Sequence, residues 1–136
     1  MILLDSNVLV ALTDPRERLH RRAARDLRRL ARSPLGVPLP VLTEACFLLP
    51  RAHHRARLRD LLQALSAGPC PIADDAGLRN DIFAWLVGYA DHEPDWADGY
   101  LAVVCGRERR FKVWTYDREF RTIWRRPDGS RIPLAV

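Results

Sequence analysis

The sequence predicts an α/β domain, a three-layer α/β/α sandwich with a central, mostly parallel sheet, formed by residues 1–136 as one unit. Short apolar runs that suit buried strands alternate along the chain with longer segments whose apolar residues recur at helical spacing. Strands joined by helical crossovers pair in parallel, with helices on both faces of the sheet. The chain has 136 residues, 48% of them hydrophobic, and no repeat or linker divides it. This is one domain's worth of chain with enough apolar material for a core.

The elements of the N-terminal half are bounded by polar stops and prolines. The apolar run that opens the chain stops at Asp5, and Asp14 with Pro15 has the pattern of a helix start, in which Glu17 completes a capping box. Ser33-Pro34-Leu35-Gly36 ends that helix. In order, we predict a strand at Ile2–Leu4, a short helix or a continuation at Val8–Leu12, a helix from Glu17 to about Arg32, a helix from Pro40 to Pro50, and a helix at about His53–Ser66.

The C-terminal half continues the alternation. Leu78, Ile82 and Trp85 recur on one side of a helix, and Pro94 followed by Asp95 marks the start of the next helix. In order, we predict a short strand at Pro69–Ala73, a helix capped by Asp74 or Asp75 that extends to Tyr89, a helix opened by Glu93-Pro94-Asp95, a strand at Lys112–Thr115, and an edge strand at Ile132–Val136.

The charge of the chain is basic and is carried by arginine. Basic residues outnumber acidic ones by 22 to 17, for a formal net charge of +5, and every basic residue except Lys112 is an arginine. This surplus favours an acidic partner such as nucleic acid, because the planar guanidinium fork matches phosphate geometry. A GC-rich genome would produce the same bias, so composition leaves both explanations open.

The cysteines and the apolar runs indicate in which cellular compartment the protein acts. The three cysteines lie far apart and form no CxxC pair, and their odd number excludes a complete disulfide framework. The N-terminal apolar run ends at Asp5 with no basic leader before it, and no later run reaches the roughly eighteen apolar residues of a membrane span. We therefore expect a cytoplasmic protein with neither a signal peptide nor a membrane anchor.

Five acidic residues occupy positions from which they can converge. Asp5 and Asp117 each follow a predicted strand, and the carboxyl ends of parallel strands share one edge of a sheet, where ligands usually bind. Asp95 and Asp98 are three residues apart on one predicted helix, and so lie on one face. Glu44 lies inside an apolar segment, where an unpaired acid is costly to bury. Each acid also has a plain structural explanation, such as capping a helix for Asp5, the helix dipole for Asp95, or solvent exposure for Glu44.

A cluster of this kind calls for a cation. Carboxylates a few ångströms apart raise one another's pKa values, and a divalent ion relieves the repulsion. Oxygen ligands suit Mg²⁺ or Mn²⁺, and the sequence has no Cys and His spacing typical of zinc sites. An acidic metal site in a basic protein is an arrangement suited to phosphodiester hydrolysis.

The acidic positions also carry a family resemblance. The segments are Leu3–Val10 (LLDSNVLV), Val41–Glu44 (VLTE), Asp95–Ala102 (DWADGYLA) and Thr115–Phe120 (TYDREF). Their order and spacing resemble the successive acidic motifs of PIN-domain ribonucleases, and in particular those of the VapC toxins of bacterial type II toxin–antitoxin pairs. The resemblance implies a Mg²⁺- or Mn²⁺-dependent endoribonuclease that forms a homodimer and is neutralised by a cognate antitoxin.

The resemblance also assigns roles to individual residues. Asp5, Glu44, Asp98 and Asp117 match the acidic quartet of the family, and Asp95 matches an additional acid one helical turn before the third. By this match Asp5, Asp98 and Asp117 hold the metal directly or through water, and Glu44 orients a ligand or the attacking water.

Three arginines near Asp117 are the candidates for binding RNA phosphates, namely Arg118, Arg121 and Arg125. The arginine-rich helix from Glu17 to Arg32 is better explained as a solvated face than as an RNA contact.

Other functions remain open from the sequence. The chain could be a PIN-domain RNA-processing nuclease that is not a toxin, or an inactive PIN-like module that binds RNA or protein. A phosphatase that uses Asp5 as its nucleophile, as haloacid-dehalogenase relatives do, is a further alternative. Such phosphatases usually carry a second Asp two positions later, where this chain has Asn7.

Overall fold

The computed structural model describes all 136 residues and has a small parallel sheet at its centre. The strands are β1 (Ile2–Leu4), β2 (Leu35–Gly36) and β3 (Lys112–Trp114), in the order β2-β1-β3. The central strand β1 pairs in parallel with both neighbours, so that Leu3 lies opposite Gly36 on one side and Val113 on the other. The predicted α/β class with a parallel sheet is confirmed.

Seven α-helices surround the sheet. They are α1 (Ser6–Thr13), α2 (His20–Leu30), α3 (Leu39–Leu48), α4 (Ala52–Ala64), α5 (Ala76–Gly88), α6 (Trp96–Arg107) and α7 (Glu119–Thr122), with a short 3₁₀ helix at Ala90–His92 before α6. Helix α1 packs against α2, α3 and α4, and α5 packs against α6. Helix α6 is buried along most of its length, which is why its sequence lacks a clear polar face.

The start of α2 differs from the prediction. The helix begins at His20 rather than at Glu17, and Leu19 at its N-cap makes no side-chain cap. Asp14 does not cap α2 because it already ends α1, where its backbone N–H donates to the carbonyl of Val10. Its carboxylate instead accepts a hydrogen bond from the backbone N–H of Arg16, 2.9 Å away, which closes a local turn.

Two short extended segments also differ from the prediction. Leu35–Gly36 was predicted only as a helix break, whereas it forms β2. The strand predicted at Pro69–Ala73 is absent, and Gly68 just before it makes a single parallel bridge to Gly36. Segments of one or two residues show no periodicity, so only their partners decide which one pairs with the sheet.

The C-terminal tail forms less sheet than predicted. Within Ile132–Val136, Leu134 makes one isolated parallel bridge to Val113. The N–H of Val113 donates to the carbonyl of Pro133 (2.8 Å), and the N–H of Ala135 donates to the carbonyl of Val113 (2.9 Å). Pro133 lacks an N–H of its own, which limits the ladder on this edge.

The core is one apolar cluster around β1, β3 and α6. Trp114 and Trp124 are fully buried within it, and Trp85 is nearly so. None of the helices has the length and apolar character needed to cross a lipid bilayer.

Candidate active site

Asp5 lies where the central strand ends and α1 begins. It is the N-cap of α1 and is only 5% exposed. One carboxylate oxygen, Oδ1, accepts a hydrogen bond from the backbone N–H of Ser6 (2.7 Å). The other, Oδ2, accepts from the Asn7 amide nitrogen (2.8 Å) and from the Thr115 hydroxyl (2.7 Å). The capping role weighed from the sequence is therefore real, and the same bonds fix the direction of the carboxylate.

Thr115 links the ends of β1 and β3. Its hydroxyl donates to Asp5 and accepts from the Asn7 amide nitrogen (3.1 Å) and from the backbone N–H of Asp117 (3.0 Å). Asn7 completes the link, since its carbonyl oxygen accepts from the backbone N–H of Tyr116 (3.1 Å). Sequence reasoning missed Thr115, although a polar residue that ends an apolar strand just before an acidic motif was a visible signal.

Asp117 is held in a turn at the start of α7. Its carboxylate accepts a hydrogen bond from the backbone N–H of Glu119 (2.9 Å), two residues on, while its own N–H is bound to Thr115. Its backbone and its carboxylate are both anchored, so Asp117 lies in a defined position beside the end of β1.

Asp95 and Asp98 form a capping box at the start of α6. The Asp95 carboxylate accepts from the backbone N–H of Asp98 (2.9 Å), and the Asp98 carboxylate accepts from the backbone N–H of Asp95 (3.2 Å). Two of the free N–H groups at the helix start are thereby satisfied. The positive end of the helix dipole favours negative charge at this position. Only one oxygen of each carboxylate takes part in the box.

The five acids act on one another electrostatically. Burial raises the pKa of Asp5 to about 6, with the charges of Asp117 and Asp95 adding to the effect and the hydrogen bonds from Thr115 and Ser6 opposing it. Burial, together with the charges of Asp95, Asp5 and Asp117, raises the pKa of Asp98 to about 8, against the opposing hydrogen bond from the Asp95 backbone.

Glu44 belongs to the same group. Burial raises its pKa, the hydroxyl of Ser6 opposes that rise, and Asp95 and Asp5 add to it. Glu44 is half-buried on α3, so it neither points fully into solvent nor lies in the core. The structure thus brings all five predicted acids to one edge of the sheet, although they lie far apart in sequence.

The family is decided by a match along nearly the whole chain. The model of the PIN domain family matches residues 2–124. The chain belongs to the PIN domain family. The resemblance inferred from the four acidic segments is confirmed at this level.

One solved structure supports the fold assignment. It is the crystal structure of VapC20 from Mycobacterium tuberculosis, a toxin that cleaves the sarcin–ricin loop, which matches with a TM-score of 0.68 at 23% sequence identity. The match covers 89% of this chain and 93% of that one, so the two proteins share the PIN fold over almost their whole length. No curated protein matches the sequence significantly.

The acidic edge of this PIN domain suits a divalent cation in its chemistry. Its donors are carboxylate and hydroxyl oxygens, the ligands that Mg²⁺ and Mn²⁺ prefer. Burial and the neighbouring acids raise the pKa values of Asp5, Glu44 and Asp98, and no basic side chain acts to lower them. As placed, no group of three or more acidic, histidine or cysteine side chains could by itself hold a metal ion. The fit to a divalent cation therefore rests on the chemistry of the oxygen donors.

An apolar groove opens beside the acids. Its volume is about 890 Å³, and its walls come from α3, from the segment before α5, from α5 and from the start of α6. Glu44 and Asp95 line it together with Phe47, Phe83 and Trp96. Trp96 packs edge-on against Phe83, with ring centroids 4.9 Å apart, and so borders the groove.

The three arginines predicted to bind RNA have different surroundings. Arg121 donates to the carbonyl of Val136 (2.6 Å), and Arg125 donates to the carbonyl of Trp124 (2.8 Å). The side chain of Arg118 is exposed and makes no hydrogen bond or ion pair. Arg118, next to Asp117, is thus the one of the three that is free to bind a phosphate.

Proposed function

We propose that this PIN domain is a metal-dependent endoribonuclease that acts as the toxin of a type II toxin–antitoxin pair. The convergence of Asp5, Glu44, Asp95, Asp98 and Asp117 at one sheet edge carries the proposal. The fold neighbour VapC20 is a toxin that cleaves an RNA loop, which supports the choice of RNA as the substrate. The net charge of +5 fits a polyanionic substrate as well.

Asp5, Asp98 and Asp117 would hold the ion, which we propose to be Mg²⁺ or Mn²⁺. When bound, the ion supplies positive charge that offsets the acids and activates water for attack on the phosphodiester. Thr115 and the backbone of Ser6 keep Asp5 in one orientation and favour its ionised form. Asp98 has a raised pKa and gives up its proton when a cation binds.

The remaining acids and Arg118 would act on the substrate side. Glu44 orients the attacking water or a ligand, and Asp95 holds the start of α6 so that Asp98 faces the ion. Water adds to the phosphorus and the bond to the 3′ oxygen breaks, which leaves a 5′-phosphate and a 3′-hydroxyl, as the family resemblance implies. Arg118 holds a phosphate and counters the charge that develops on it.

The phosphatase alternative is disfavoured by the surroundings of Asp5. Both of its oxygens accept hydrogen bonds, and the side chain is almost fully buried. Asn7, where such a phosphatase would carry its second acid, instead donates to Asp5.

Substitution of the acids tests the proposed activity. Asp98→Asn and Asp5→Asn should each lower Mg²⁺-dependent RNA cleavage by about a hundredfold or more, because each removes a charge that holds the ion. Asp91→Asn is the matched control, since Asp91 is exposed and forms no ion pair. Cleavage is followed on an RNA hairpin carrying a sarcin–ricin loop and on an unstructured RNA, each with Mg²⁺, with Mn²⁺ and with chelator.

The same assay separates the alternatives. Undiminished cleavage by Asp98→Asn would refute the role of the acidic edge. Tight RNA binding by the parent chain with no cleavage under any metal would favour the inactive binding module.

The partners follow from the proposed toxin role. The apolar groove next to Glu44 and Asp95 would receive an apolar segment of the antitoxin, which would cover the acids. We also propose a homodimer, which light scattering of the purified chain tests. The three free cysteines fit action in the reducing cytoplasm.

A further inference from the structure

Helix α2 carries two sets of arginines with different environments. Asp26, which is nearly buried, pairs with Arg29 (2.9 Å) and more loosely with Arg22 (3.9 Å). Arg21, Arg25 and Arg28, here named the outer arginine row, are exposed and form no ion pair and no hydrogen bond. Their spacing of four and three residues puts them on one face of the helix.

The outer arginine row lines a depression with no acid in it. Its volume is about 420 Å³, and the other lining residues are His20 and Ala24. Like charges on adjacent helical turns repel one another, and nothing within the chain offsets that repulsion. A planar guanidinium is suited to phosphate oxygens, and three of them in a row suit consecutive negative charges. The surface is therefore complementary to a polyanion.

Tyr116 connects this helix to the acidic edge. Its hydroxyl donates to the Asp26 carboxylate (2.8 Å), and the guanidinium of Arg22 lies over its ring, 4.8 Å from the centroid. Tyr116 stands between Thr115, which donates to Asp5, and Asp117. Asp26 and Arg22 thus fix helix α2 to the site, and the outer arginine row faces solvent in a constant position relative to it.

We propose that the outer arginine row is a second RNA-contact surface, which binds the phosphate backbone of a folded RNA at a distance from the bond that is cut. Backbone contacts of this kind add affinity and orient the substrate but do not select its sequence. The inference rests on the proposed ribonuclease function, since it names how that same substrate is held.

The test compares two double variants that remove the same charge. Arg25→Ala/Arg28→Ala shortens the outer arginine row, and Arg51→Ala/Arg57→Ala removes two exposed arginines of the α4 region that also lack acidic partners. Both are made in the Asp98→Asn chain so that bound RNA stays intact. Affinity for a folded RNA hairpin and for poly-glutamate is measured by fluorescence anisotropy over a range of salt concentrations, and thermal melting checks that each variant folds.

We expect the row variant to bind the hairpin about tenfold more weakly than the control variant, with a slope of log affinity against log salt that is shallower by about two. Poly-glutamate binding should fall equally in both variants. Equal hairpin affinity in the two variants would overturn the inference. An equally large, row-specific loss for poly-glutamate would also overturn it, because it would indicate an acidic protein partner.

The proposed activity is tested separately by cleavage with the unsubstituted chain. A parent chain that cleaves RNA while the row variant binds as the control does would refute the second surface alone. A parent chain that cleaves no RNA would refute the proposed function, whatever the binding result.

Discussion

A single hydroxyl group, that of Thr115, organises much of the acidic edge. It donates to Asp5 and accepts from Asn7 and from the backbone of Asp117, and its residue is only 2% exposed. Buried polar groups of this kind are costly when one partner is removed, because the others lose their hydrogen bonds without gaining water. Thr115 is thus a positioning residue for two of the proposed metal ligands.

Replacing Thr115 by valine should disturb the site while keeping the shape of the side chain. We expect cleavage and Mg²⁺ affinity to fall by about tenfold to a hundredfold, as for other partners that orient metal ligands. The pKa of Asp5 should rise further, because a hydrogen bond that favours its ionised form is lost. The acidic limb of the pH–rate profile should then move to higher pH. Thr115→Ser should restore both values, and a valine variant with an unchanged profile would contradict this role.

The raised pKa values of Asp5 and Asp98 also predict how stability depends on pH. A carboxyl whose pKa is higher in the folded than in the unfolded chain binds its proton more tightly when folded, so the free energy of unfolding falls as pH rises. The fall begins near the ordinary value of 3.8 and extends to about 6 for Asp5 and about 8 for Asp98. Metal-free protein should therefore melt at a lower temperature at pH 8.5 than at pH 5.5.

Asp98→Asn isolates the part of this effect that is due to Asp98. Asparagine keeps an oxygen that can accept the capping hydrogen bond but carries no charge. At pH 8.5 without metal, the variant should be about 1–2 kcal/mol more stable than the parent, and Mg²⁺ should stabilise the parent more than the variant. Thermal melts with chelator and with Mg²⁺ measure both. If Asp98→Asn were less stable than the parent at pH 8.5, the predicted direction of the stability change would be wrong.

At the scale of elements, the position of Asp98 depends on the close packing of α6 against α5. Gly99 lies at the contact, where an added Cβ would come within 3.1 Å of Ile82, 3.2 Å of Leu86 and 3.2 Å of Trp85. Ile82 and Trp85 are buried and Leu86 is partly buried on the same face of α5, so they cannot all move aside easily. Glycine at this position lets the helix that carries Asp95 and Asp98 approach its neighbour.

Gly99→Ala tests this packing. Alanine favours a helix by about 1 kcal/mol over glycine, whereas crowding in a packed core costs about 1–3 kcal/mol. Because there are three close contacts, we expect the cost of crowding to exceed the gain in helix propensity. Chemical denaturation should then show a net loss of about 1 kcal/mol in unfolding free energy. Gly88→Ala at the end of α5 is the control, since nothing lies within 4 Å of its added Cβ. If the Gly99→Ala variant were as stable as the Gly88→Ala variant, the side chains of α5 would have to move aside for the added methyl group.

At the scale of the whole molecule, two surfaces have different chemistry. Acids and an apolar groove lie at the C-terminal edge of the strands, whereas α2 presents unpaired arginines. The groove exposes large apolar side chains, among them Phe47 at 81%. A contiguous exposed apolar patch is typical of a surface that binds another protein. This is the reason to place the proposed antitoxin there.

Phe47→Asp tests that placement. Co-expression with the protein encoded by the neighbouring open reading frame should suppress RNA cleavage by the parent chain, and Phe47→Asp should restore it by putting a charge into the apolar contact. Phe47 is largely exposed, so the substitution should leave the melting temperature unchanged. Suppression that is equal in the parent and the variant would place the partner elsewhere.

Some features could be predicted from the sequence because they depend on local signals. β1 and β3 are apolar runs that end at polar residues, and parallel strands bring those ends to one edge, so the convergence of Asp5 and Asp117 followed from topology. The helix start at Glu93-Pro94-Asp95 was likewise a local pattern, and α6 begins at Trp96 with Asp95 as its N-cap. The pattern at Asp14 failed because that residue already ended α1.

Other features depend on partners far along the chain. The sequence by itself determined the fold class, the PIN family and the set of acids, because hydrophobic periodicity and the order of motifs are properties of the chain alone. Only the tertiary structure decided that Leu35–Gly36 is a strand, that Thr115 joins Asp5 to Asp117, and which arginines are free. Arg121 donates to the carbonyl of Val136, whereas on α2 only Arg22 and Arg29 pair with Asp26. The physical reason is that hydrogen bonds and ion pairs depend on distance in space, which separation along the chain does not specify.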